Sequence, residues 1–180
     1  MRTSKNWISL LLCMSFLLIT SCETLPEKAV PVTPFNKERY LGKWYEIARL
    51  DFKYEKDLNN TTAEYSLQDD GSIKVDNKGY NTVKKEWQQA IGKAKFVGNE
   101  NIARLKVSFF GPFYSGYNVI ALDPEYRYAL VAGKNLKYLW ILSRDITIPN
   151  DVKKNYLAIA EGIGYRTADL IWVAHDNSSK

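Results

Sequence analysis

The sequence predicts an all-β domain of eight short antiparallel strands, closed as an up-and-down barrel or paired as a sandwich, with one helix after the last of them. Three observations carry this. Apolar and polar residues alternate over short runs, with Ala63, Tyr65 and Leu67 set against Glu64, Ser66 and Gln68, and Leu105, Val107 and Phe109 against Arg104, Lys106 and Ser108. Such alternation marks a strand with unlike faces. Turn or loop residues recur at short intervals: Asp70-Gly71, Lys78-Gly79, Gly98-Asn99, Gly111-Pro112, Asp123-Pro124 and Gly133-Lys134. The rhythm then changes at Ile148-Pro149-Asn150-Asp151, after which Val152, Tyr156, Ile159 and Ala160 recur at helical spacing.

Before the strands, the N-terminus reads as an address. Arg2 and Lys5 precede an apolar run from Trp7 to Ile19, and the small residues Thr20 and Ser21 follow, as in a secretory signal. The run is too short to be a good membrane span. Leu18-Ile19-Thr20-Ser21-Cys22 resembles a bacterial lipobox, which implies cleavage before Cys22 and acylation of that cysteine. Several acyl chains would anchor the chain firmly, at about 0.8 kcal/mol per buried methylene. Glu23 after the cysteine resembles outer-membrane sorting. Residues 1–21 are thus expected to leave as a signal peptide. Residues 22–35, with Pro26, Pro31 and Pro34, are expected to form an extended tether. The domain proper would run over 36–175, with a polar tail at 176–180.

Strands are expected near 42–52, 60–68, 72–80, 85–97, 102–109, 115–122, 127–132 and 137–143. Pro149 or Asn150 would open the helix and Gly162 and Gly164 would end it, with a last extended piece over 169–174. Of 180 residues, 46% are hydrophobic and 13% aromatic, which excludes disordered, collagen-like and cysteine-rich classes. Loss of Arg2 and Lys5 lowers the formal charge of +5 by two units, too little to argue for a nucleic-acid partner.

Gly42-Lys43-Trp44-Tyr45 heads the first strand, Asp123-Pro124-Glu125-Tyr126 falls between the sixth and seventh, and Arg144 ends the eighth. These placements resemble the three short motifs of the lipocalin family. The stretches 109–114, 117–123 and 138–144, together with the lipobox, narrow the resemblance to bacterial outer-membrane lipocalins. It implies an eight-stranded up-and-down antiparallel barrel with the C-terminal helix packed outside. It also implies that Trp44 plugs one end, with Arg144 across its face in a cation–π contact of about 0.5–2 kcal/mol and bonded to carbonyls of the N-terminal segment. Gly42, Trp44, Asp123, Tyr126 and Arg144 are structural in this reading.

If Arg144 shares a face with Leu142, Trp140 and Tyr138, those side chains point into the lumen. By the same logic Tyr117 and Val119, and Ala129 and Val131, are lumen candidates. The resemblance implies fatty acids, phospholipids or lysophospholipids as ligand, held for lipid storage or transport in envelope maintenance. The chain would sit on the periplasmic face of a bacterial outer membrane. Two other classes stay open: a surface-interaction lipoprotein with a filled barrel, and a lipid-processing enzyme. The reading favours a binding protein without catalytic residues, since the single histidine, His175, lies in the polar tail. It needs no cofactor and no metal. Its partners are the small lipophilic ligand, the membrane through Cys22 and a second copy of the chain as a homodimer.

Overall fold

The computed structural model describes residues 25–176. Cys22, the signal segment and most of the polar tail lie outside the described residues. A short helix α1 (Lys37–Tyr40) precedes eight barrel strands: β1 (Gly42–Leu50), β2 (Leu58–Leu67), β3 (Ile73–Asn81), β4 (Glu86–Phe96), β5 (Arg104–Phe110), β6 (Phe113–Leu122), β7 (Tyr128–Ala132) and β8 (Leu139–Ser143). Helix α2 (Asn150–Ile163), a 3₁₀ turn (Thr167–Asp169) and strand β9 (Leu170–Trp172) follow.

Neighbours in sequence pair antiparallel from β2 through β8; β1 then pairs with both β8 and β2, so the sheet closes on itself and the sandwich alternative falls away. Closure removes the open edges that a flat sheet of eight strands would leave. The ninth strand adds beyond β1, with Arg49 opposite Ile171.

Alternation sorts the apolar residues into two layers. Inside the barrel, Trp44, Tyr65, Val75, Leu105, Val119, Val131 and Leu142 share one cluster. Outside it, Ala48, Leu130, Leu139 and Ile141 pack with Tyr156 and Ala160 of α2 in a second cluster. The helix is tied to the barrel by the Tyr156 hydroxyl, which donates to the Tyr128 carbonyl at 2.9 Å. Gly164 ends α2 at φ 113°, a left-handed cap that favours glycine. Gly162, expected to help end the helix, lies within it.

Two further expectations are corrected, and one short element has no sequence signal. Lys78-Gly79 is not a turn but mid-strand, with Gly79 opposite Gln88; a Cβ there would sit 3.1 Å from the Leu58 side chain, so close packing explains the glycine. The short α1, capped by Asn36 accepting from the Arg39 amide, carries no periodicity to read over four residues. And 25–35 is not a free spacer. Val32 bridges β5 and β6, donating to the Val119 carbonyl and accepting from the Ala103 amide, and Ala29 and Phe35 are buried.

Candidate ligand cavity

One end of the barrel is closed by packed aromatics. Trp44 is fully buried, its Nε1 donates to the Tyr40 carbonyl at 2.8 Å, and the two rings lie 4.8 Å apart. Arg144 lies 3.9 Å above the Trp44 ring. Its guanidinium fans across the floor, donating to the carbonyls of Arg39, Tyr40, Leu41, Lys43 and Tyr126 at 2.7–3.3 Å. Gly42, at φ 90°, lets the chain turn into β1 beside that guanidinium. Tyr126, also at positive φ, turns its hydroxyl to accept from the Asn36 amide at 2.9 Å. Asp123 organises the same loop by accepting from Arg127 and the Glu125 amide, and these bonds hold its carboxyl below the usual carboxylate range. The five motif residues thus meet at one end of the barrel.

Above the floor, the Tyr117 hydroxyl pairs with those of Tyr40 (2.7 Å) and Tyr65 (2.8 Å). Burial pushes all three phenols up, so they stay neutral hydrogen-bonding groups. Beyond this triad opens a cavity of about 590 Å³, within the range of small-molecule sites. Tyr117, Tyr138, Trp140 and Leu142 line it. Val119, Ala129 and Val131 face inward too, but they are fully buried in the inner cluster and do not reach the cavity. The inner end of a tapering lumen is filled by side chains; only the mouth-side positions see space.

The cavity wall also holds residues that sequence reasoning missed. Phe52 stands edge-on to Tyr138 (5.6 Å) and Trp140 (5.8 Å). Glu46 and Glu55 both line the cavity. Arg49, 1% exposed, donates through Nη1 to Glu46 Oε1 at 2.7 Å and through Nη2 to the Glu55 and Leu58 carbonyls. Trp140 Nε1 donates to Glu55 Oε2 at 2.9 Å. Burial, reinforced by the nearby Glu55 carboxyl, pushes Glu46 well above the usual carboxylate range against the pull of Arg49. Burial raises Glu55 as well, against its bond to Trp140.

A regular strand would place Glu46 and Arg49, three residues apart, on opposite faces. A bulge between Glu46 and Ala48 shifts the register, so that Glu46 stands opposite Leu142 and Arg49 opposite Trp140, both on the inner face. Parity carried upward from Trp44 would have found Glu46; nothing in the sequence marks the bulge.

His175 is not in a free tail. Its Nε2 lies 2.7 Å from the Glu46 carbonyl and its ring stands edge-on to Tyr45, away from the cavity lining.

Residues 35–175 match the family model described as a lipocalin-like domain. The chain is 54% identical over 160 residues to outer membrane lipoprotein Blc of Citrobacter freundii, covering 88% of this chain and 90% of that one. It is 52% identical over 165 residues to outer membrane lipoprotein Blc of Escherichia coli K12, covering 91% and 93%. Among solved structures, insecticyanin from the tobacco hornworm Manduca sexta shares the fold with TM-score 0.67 at 19% identity, covering 84% of this chain and 86% of that one.

Proposed function

Because the chain belongs to the lipocalin family, we propose that its barrel holds an acylated amphiphile, a fatty acid, phospholipid or lysophospholipid, for storage or transport in envelope maintenance. The observation that carries this reading is the cavity of about 590 Å³ set on a sealed floor. The wall offers Phe52, Phe109, Tyr138, Trp140 and Leu142 to acyl chains. Burying each methylene there contributes about 0.8 kcal/mol. Around the rim, Lys53 and Lys134 supply cations that suit an anionic head left at the mouth.

The relatives' name, outer membrane lipoprotein, supports placing this chain at a bacterial outer membrane through acylated Cys22, on its periplasmic face. The role is binding rather than catalysis. The filled-barrel alternative is disfavoured by the size of the cavity, and neither an enzymatic role nor a homodimer is needed to account for the site. Extraction of lipid from the full chain, purified gently from its host, tests the proposal by mass spectrometry. One acyl lipid per chain is expected. A chain that carries none, and takes up none when offered, would overturn it.

A further inference from the structure

The cavity is not uniformly apolar. On its β1 side it presents a group of polar side chains, two of them carboxyls. Glu46 and Glu55 bring two carboxyl groups, and the Nη atoms of the one buried guanidinium beside them, Arg49, are already engaged by Glu46 and two backbone carbonyls. Two residues that line the same cavity carry a buried polar atom without a partner among the described residues: the Thr61 hydroxyl, on a side chain only 4% exposed and able to accept or to donate, and the Asn77 Oδ1 acceptor. Register places these groups together. Tyr45 pairs with Thr62, so Glu46 and Thr61 are the next positions along, and Ala63 pairs with Asn77 on the neighbouring strand. The Arg49 Nε, also unpartnered, does not line the cavity.

Leaving buried polar atoms unpaired is costly. A wall of this kind is completed by a ligand that brings N–H donors and positive charge. An ionised carboxylate or phosphate placed there would meet two acidic groups and the Asn77 acceptor. We propose that Glu46, Glu55, Thr61 and Asn77 form a subsite for the ammonium head of a cationic or zwitterionic amphiphile. The inference rests on the lipid-binding reading and deepens it: the acyl chain lies along the aromatic wall while the ammonium group is held inside, against β1.

The test compares hexadecylammonium with hexadecanol at neutral pH, on the full chain kept soluble in amphipol, with displacement of a neutral fluorescent probe as readout. The ammonium compound is expected to bind at least about ten-fold more tightly, the scale of one charge-assisted hydrogen bond. Glu55→Gln is expected to shrink that preference about ten-fold; Glu46→Gln serves the same purpose should the first variant fail to fold. Propylammonium, which has the head but no chain, is expected not to displace the probe. Equal affinity for the ammonium compound and the alcohol, a preference unchanged in both variants, or displacement by propylammonium alone would overturn the subsite while leaving the lipid reading in place. Failure of every long-chain compound to bind the folded chain would overturn both.

Discussion

Replacing Arg144 by alanine is expected to loosen the closed end of the barrel, and its cost follows from what the side chain touches. The guanidinium lies 3.9 Å above the Trp44 ring, a contact worth about 0.5–2 kcal/mol. It also donates to five carbonyls, four of them in the segment from Arg39 to Lys43. A bond to a charged donor contributes about 1.5–3 kcal/mol when buried. One half-buried cation cannot count that value five times, since water takes over some of the carbonyls once it is gone. A total loss of about 3–5 kcal/mol is the reasonable sum. At roughly 2–4 °C per kcal/mol for a domain of this size, the melting temperature should fall by roughly 6–20 °C. Arg144→Lys should recover little, because an ammonium cannot span the carbonyl fan or stack flat on the indole. Thermal unfolding followed by circular dichroism measures the loss, and ligand titration well below the transition measures binding. A variant that kept its melting temperature but lost its ligand would refute the assignment of Arg144 to the floor.

Other perturbations test the cavity itself. Glu46→Gln should change how stability depends on pH. The native Glu46 carboxyl, faced by Arg49, Glu55 and Tyr65, holds its proton more tightly than the unfolded value of about 4.3. The native state therefore binds more protons, and stability falls as pH rises from that value through the raised native one. Denaturant midpoints measured across that window should decline less in the variant, and an identical decline would contradict the assignment. Trp140→Phe removes the donor to Glu55 and should cost about 1–3 kcal/mol. The same change should abolish most of the ligand-induced shift in tryptophan emission, since Trp44 is sealed in the floor and Trp87 and Trp172 are exposed. Tyr117→Phe takes away the hydroxyl shared by Tyr40 and Tyr65 and should cost about 1–3 kcal/mol, readable as a lower denaturant midpoint.

The barrel was legible because strands such as β5 turn one face to the interior, so Leu105, Val107 and Phe109 alternate with polar neighbours. Parity taken from Arg144 along β8 likewise led to Trp140 and Tyr138, which line the cavity. The same parity on β6 and β7 led to Val119, Ala129 and Val131, but periodicity carries no depth, and these three fall in the packed inner end. The acidic wall was hidden for a different reason. A charged residue in a strand reads as solvent-facing by default, and only a bulge turns Arg49 inward beside Glu46. Glu55 lies in the β1–β2 loop, where no periodicity applies. The tether reading misled because proline content predicts an extended chain, not whether that chain has a surface to lie on.

The central claim, that an amphiphile occupies the barrel, is tested most directly by titrating the folded full chain with a fluorescent fatty acid, beside Ala63→Trp. Ala63 lines the cavity, so a tryptophan there would fill space the ligand needs. The account predicts saturable binding by the parent chain, weakened at least ten-fold in the variant by roughly 1.4 kcal/mol or more, with the far-ultraviolet spectrum retained. No saturable binding by the folded parent chain, or equal affinity in the filled variant, would contradict it.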